Sequence, residues 1–261
     1  MKIETGTWMK WILPAVALVA LSVGTPKQAS AQGFADLTGS FVLDGPIPKP
    51  KVLIKKGDPK AKDPAICATA DLFSDSLNVD AQTKGISDIF IYLRKPPASI
   101  HPDLKESKKK TIDFNQEGCR FFPHSLFVRT DQKVRVLSKD ACSHNTHTFP
   151  IRNQAVNFLL RPKEDVGVPI ANPLSEFLPI QVKCDIHPWM LAHWLILDHP
   201  YAAVTDAKGK FTIPKLPAGE HEFRVWHERV GYIDKKFTVT IEAGKPNNQK
   251  PIKVPIAKFG D

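Results

Sequence analysis

From about residue 34 onward, apolar and polar positions alternate in short runs, which is the period-2 pattern of half-buried strands. Gly39-Ser40-Phe41-Val42-Leu43, closed by the turn Asp44-Gly45-Pro46, and then Val52-Leu53-Ile54 predict two strands joined by a turn. Strand signals return at Ile86 to Leu93, Leu126-Phe127-Val128, Val134-Arg135-Val136, Ile180-Gln181-Val182 and Trp194 to Leu197. A last group follows in Thr205 to Phe211, Leu216-Pro217-Ala218-Gly219 and Phe237 to Ile241. Few segments sustain a 3.6-residue period, so the pattern predicts an all-β chain of sandwich type with little helix.

The segment from Lys95 to Lys110, with Pro96-Pro97 and Lys108-Lys109-Lys110, breaks the alternation and reads as an exposed linker. It divides residues 32–110 from a compact unit at 111–199, and 200–261 forms the remainder.

The N-terminus changes the picture of where the chain works. Lys2 and Lys10 precede an apolar run from Trp11 to Val23, and Ala29-Ser30-Ala31 follows, which is the layout of a secretory signal peptide over residues 1–31. A run of thirteen residues falls short of the roughly 20 that a spanning helix needs. The expectation is therefore a periplasmic or secreted protein with no membrane span after signal removal. Cleavage takes away three lysines and one glutamate, which lowers the formal charge from +9 to +7 on 230 residues. The remaining lysines are scattered and no nucleic-acid motif is present, so the charge predicts a solvated surface suited to acidic partners rather than to nucleic acid.

Four cysteines in an exported chain invite disulfide pairing. With Cys184 reserved for the site below, three pairings remain among Cys67, Cys119 and Cys142. Cys67 with Cys119 is the favoured pair, because Cys142 lies two residues from a proposed ligand and suits a small buried position there.

The decisive segment is Cys184-Asp185-Ile186-His187-Pro188-Trp189-Met190. A thiolate, an imidazole and a thioether within seven residues suit copper, because sulfur ligands stabilise Cu(I) while imidazole serves both oxidation states. A further donor is available in Ser143-His144-Asn145-Thr146-His147-Thr148-Phe149. His144 is the candidate chosen; His144 and His147 are three apart on an extended strand and point to opposite faces, so the two are not expected to bind the same ion and one of them is expected to be structural.

Both segments resemble those of the cupredoxins, the type-1 blue-copper family, in particular its amicyanin- and plastocyanin-like members. The likeness covers about 111–197. It implies a Greek-key β-sandwich holding one type-1 copper ion, with His144, Cys184 and His187 as equatorial ligands and Met190 as the weak axial thioether. Asp185 departs from the family pattern, in which a small hydroxylated residue stands beside the thiolate. Its carboxylate is expected to accept a hydrogen bond from Asn145, locking the two ligand segments together and lowering the reduction potential. His187 is expected to present its outer ring edge at the surface, with Pro188 and Trp189 as a docking patch for a redox partner.

Thr205 to Phe211, Leu216 to Glu220 and Val230-Gly231-Tyr232 resemble the carboxypeptidase regulatory-like domain, a smaller prealbumin-like β-sandwich. Gly39 to Pro48 resembles its opening, which implies that the copper unit is inserted into this second sandwich. His193, His199, His221 and His227, with His124, follow no single ligand spacing and are expected to be structural or solvent-facing. The function these resemblances imply is one-electron transfer to or from a larger oxidoreductase, an amine-dehydrogenase-like enzyme by analogy. The alternatives are a copper carrier, or a surface interaction protein whose copper site has lapsed. No triad or paired-carboxylate motif stands out, and the chain is not expected to be an enzyme.

Overall fold

The computed structural model describes residues 33–260, together with residues 1, 2 and 6. Apart from those three positions, the expected signal over 1–31 lies outside the described residues. Among the described residues no helix is long and apolar enough to cross a membrane.

The fold is all-β. One pair of sheets comes from the middle of the chain. The first runs Asn157–Leu160, His144–Phe149, Ile180–Lys183, Leu191–Leu197, Ser125–Arg129, and the second Val168–Ala171, Lys133–Ser138, Thr111–Gln116, Phe121–Phe122. Their inward positions, among them Phe114, Val134, Val136, Val182 and Trp194, make one core. The Trp194 ring meets Phe114 edge-on at 4.9 Å.

The second pair of sheets combines early and late sequence. Phe34–Asp44 pairs with Lys210–Pro217, Asn247–Asn248 and Ile252–Pro255, while Phe90–Leu93 lies between Ala202–Val204 and Gly219–His227, which pairs in turn with Gly231–Ile241. Leu37, Phe41, Ile91, Phe211 and Phe223 fill its core. The halves meet so closely at Gly209 that a Cβ there would lie 2.3 Å from the Phe41 carbonyl oxygen; its φ of 72° also favours glycine.

Two strands are apolar on both faces, and they mark where the sheets join. Trp194 and Ile196 face the first core while Leu195 and Leu197 face the other way, against Phe90 and Tyr92, whose neighbours Ile89 and Ile91 belong to the second core. Strand geometry sends successive side chains to opposite faces, so an unbroken apolar run is what a strand buried on both sides requires. Gln32–Asp261 accordingly forms one compact unit.

Residues 52–73 differ from the expected division of the chain. The two short strands Val52–Ile54 and Leu72–Phe73 and the four-residue helix Pro64–Cys67 pack Ile54, Cys67, Ala68 and Leu72 into the core of the middle unit rather than the second sandwich. A disulfide between Cys67 and Cys119 ties this flap down.

Candidate metal centre

The site is assembled at one end of the first sheet. Ile180–Lys183 and Leu191–Leu197 are antiparallel, with Lys183 opposite Leu191, so Cys184 to Met190 is the loop of a hairpin. The Met190 amide donates to the His187 carbonyl (2.9 Å) and the Cys184 amide to the Met190 carbonyl (3.3 Å), closing the loop on itself. Next to it, His144 opens the strand His144–Phe149; alternation places His144, Thr146 and Thr148 inward and leaves His147 partly exposed.

Cys184, His144 and His187 converge. The Nδ1 atoms of His144 and His187 are 2.9 Å apart, and the Cys184 Sγ lies 3.6 Å from His187 Nδ1 and 4.0 Å from His144 Nδ1. An ion bound at about 2.3 Å to sulfur and about 2.0 Å to nitrogen in a trigonal plane needs sulfur–nitrogen separations of about 3.7 Å. The two observed values bracket that distance, while the 2.9 Å between the nitrogens is shorter than the about 3.5 Å the same plane needs, so the donor set fits a first-row ion once the two rings move apart. Met190 is buried at the end of the same loop.

Each imidazole is held from behind by a carboxylate. His144 Nε2–H donates to Asp140 Oδ2 (2.8 Å) and His187 Nε2–H to Asp63 Oδ2 (3.0 Å). Placing the proton on Nε2 leaves each Nδ1 with a lone pair, and two lone pairs 2.9 Å apart repel unless a proton or a cation lies between them. Carboxylate–histidine pairs of this kind fix tautomer and ring orientation at metal sites. Asp140 is itself set by the amides of Gly118 and Cys119 (2.6 and 2.8 Å).

Electrostatics favour the thiolate. Burial opposes ionisation of Cys184, yet the hydrogen bonds from His144 and His187 outweigh it and bring its pKa down to about 6. Burial would also lower His144, but Asp140 and Cys184 lift it to about 9. Cys142, 3.6 Å from His144 Nε2, is pushed up to about 11 by burial and by the Asp140 carboxylate, so it stays a thiol.

Asn145 Nδ2 donates to Asp185 Oδ2 (2.8 Å), and Asn145 Oδ1 accepts from the Asp185 amide (2.6 Å). Asn157 and His147 also bond the Asp185 carboxylate (3.0 and 3.1 Å). The ligand strand and the ligand loop are thereby tied together.

One expectation is corrected. His187 has no exposed edge: it is 0 % exposed, as is His144, because Asp63 and the flap cover its outer nitrogen. Pro188 is exposed, whereas Trp189 is half-buried, edge-on to His187 at 5.2 Å and donating its indole N–H to the Cys119 carbonyl (3.1 Å). Asp63 and Asp140 were not evident from the sequence. Asp140 precedes the strand His144–Phe149 in a bend and Asp63 lies far away in the chain, so neither gives a local signal.

The later histidines divide in two. His199 bonds the Leu93 carbonyl and the Tyr201 amide, His221 the Pro217 carbonyl, and His227 the Arg229 amide. His124 and His193 instead gather with Glu228, a grouping that linear spacing concealed.

No family profile and no curated protein matches the chain. Solved structures that it resembles in part include a copper-containing nitrite reductase, amicyanin mutants and a purple cupredoxin. The copper-containing nitrite reductase from Thermus scotoductus SA-01 is 15% identical over 33% of this chain and 22% of its own, with a TM-score of 0.30. The chain therefore spans about a fifth of that protein's length. A reduced amicyanin mutant is 15% identical over 42% of this chain and 98% of its own, with a TM-score of 0.30. A purple cupredoxin from Nitrosopumilus maritimus is 12% identical over 32% and 97%, with a TM-score of 0.27.

Proposed function

We propose that the chain is an exported one-electron carrier that holds a single type-1 copper ion between His144, Cys184 and His187, with Met190 as the weak axial contact. The observation that carries this reading is that both imidazoles are clamped at Nε2 by carboxylates and turn Nδ1 toward one thiolate. Copper would supply the change between Cu(II) and Cu(I), for which two imidazoles, a thiolate and a distant thioether are an acceptable compromise in both states.

The chain's own residues keep that set rigid. Asp63 and Asp140 hold the rings, Asn145 and Asp185 hold strand and loop together, and the flap excludes water. All three donors are 1 % exposed or less, which favours a trapped ion over one passed to a receiver, and leaves no face for a substrate. This burial supports a transfer role over catalysis or copper delivery. Exposed Pro188 and the edge of Trp189 form the contact patch, and the net positive charge suits an acidic redox partner such as a larger oxidoreductase.

Copper loading of the mature chain is expected to give an intense visible thiolate-to-copper band that disappears in Cys184→Ser. The copper should exchange with a chelator over hours rather than minutes. A colourless protein, or one whose colour survives that substitution, overturns the assignment.

A further inference from the structure

Three elements without a shared sequence motif bring His124, His193 and Glu228 together. His124 lies in the loop between Phe121–Phe122 and Ser125–Arg129, His193 is on the strand Leu191–Leu197, and Glu228 is in the turn that joins Gly219–His227 to Gly231–Ile241. One donor atom from each lies within 4.8 Å of the other two. His124 Nε2 is 2.5 Å from Glu228 Oε1, and His193 Nδ1 is 3.7 Å from Glu228 Oε2.

The second, independent observation is an orphan. His193 is 3 % exposed and its Nδ1 has no hydrogen-bond partner, Glu228 being too far away to serve. A buried polar atom left unpaired is destabilising, so a ligand that satisfies it is favoured there. Its backbone is meanwhile fixed against the neighbouring ligand, since the His193 amide donates to the His124 carbonyl (2.9 Å). The rings of His124 and His193 are 6.2 Å apart and steeply inclined, which lets both aim nitrogen at one point without stacking.

We infer that His124, His193 and Glu228 form a second metal site, which takes a divalent first-row ion such as Zn2+ across the seam between the two sandwiches. Two imidazoles and one carboxylate are a zinc ligand set that leaves a fourth position for water or a small ligand. A cavity of about 180 Å³ opens beside the group, lined by His124 and Glu228 though not by His193, and leaves space for a water or small ligand on that side. With no sulfur donor, the set selects against Cu(I) and so differs in softness from the Cys184 centre. Met190 and His193 are three residues apart on one extended segment, about 10 Å, so the two sites are neighbours without sharing a ligand.

The experiment is a zinc titration of the full mature chain already loaded with copper, followed by desalting and elemental analysis. One zinc per chain is expected in addition to copper. Glu228→Gln and His193→Gln should each weaken zinc binding at least tenfold while copper content and circular dichroism stay unchanged; His124→Gln replaces either variant if it fails to fold. Absence of a zinc equivalent in the wild-type chain overturns the inference, as does zinc binding that survives all the folded variants. The site is assigned by which substitution removes the ion, so a failure of the copper reading leaves this result interpretable.

Discussion

Asp63 and His187 are 124 residues apart in sequence and meet in one hydrogen bond, the imidazole Nε2–H donating to the carboxylate over 3.0 Å. Asp63 reaches that position with a left-handed backbone, φ 50°, at the start of the short helix of the flap. A conformation of that kind costs of order 1 kcal/mol or more in a non-glycine residue and tends to accompany function. Asp63→Ala is expected to weaken copper binding about ten- to a hundredfold, the usual effect of removing a carboxylate behind a ligating histidine. Competition with a chelator measures it; an unchanged affinity would show that the pair does not support the site.

Copper uptake should release protons in a pH-dependent number. Cys184 is an acid whose folded pKa, about 6, lies below its free value of 9.0, so its contribution to stability is full above 9 and lost as pH falls through 6. His144 is a base raised from 6.5 to about 9, so its contribution is full below 6.5 and lost as pH rises through 9. Between those limits the metal-free pair is thiolate and imidazolium, and an entering ion displaces one proton from it. These two groups then make apparent affinity rise roughly tenfold per pH unit from 6 to 9 and roughly a hundredfold per unit below 6. Calorimetry in buffers of different ionisation enthalpy counts the protons, and a pH-independent affinity contradicts the pairing.

Asp185→Asn should raise the reduction potential. The carboxylate is held below its usual pKa, against the opposing effect of burial, by hydrogen bonds from Asn145, Asn157 and His147. Its negative charge next to the thiolate favours Cu(II), and the amide removes that charge while keeping the shape. Voltammetry decides the sign, and a lower potential counts against the electrostatic role.

Replacing Cys67 and Cys119 together by serine releases the flap. Chain-entropy arithmetic for a bridge across 52 residues gives a loss of about 4 kcal/mol. The same variant should react faster with small soluble oxidants, because the outer nitrogen of His187 loses its cover. Urea unfolding and stopped-flow kinetics test the two halves separately.

Leu195→Ala, in the layer between the two sandwiches, should cost about 2–5 kcal/mol. Because Leu195 and Leu197 pack on Phe90 and Tyr92, the wild-type chain is expected to melt in one calorimetric transition; two separated transitions would show that the sandwiches are independent.

The sequence makes the first site legible because three of its candidate ligands fall on one hairpin loop, and the fourth, His144, begins an adjacent strand. Trp194 to Leu197 is readable as a strand, since its unbroken apolar run fits no other short element. The partner that buries its second face is not readable, because apolarity records burial and carries no address. Asp63 and the His124–His193–Glu228 group are hidden for the same reason: each residue comes from a different element, and only pairing in three dimensions brings them together. Prolines and lysines over 95–110 suggest a division between 110 and 111, but residues 52–73 read like any polar loop and pack with the unit they precede.

The segment Leu191–Leu197 begins where the hairpin loop ends, carries His193 on its outward side and finishes among the leucines of the seam. Adding or deleting a single residue along it would turn Trp194 out of one core and Leu195 into it, and would swing His193 away from Glu228 in the same stroke. The residue count from Leu191 to Leu197 is therefore held by two cores and a side-chain cluster at once, whereas a loop grafted ahead of it leaves that register intact as long as Lys183 still faces Leu191.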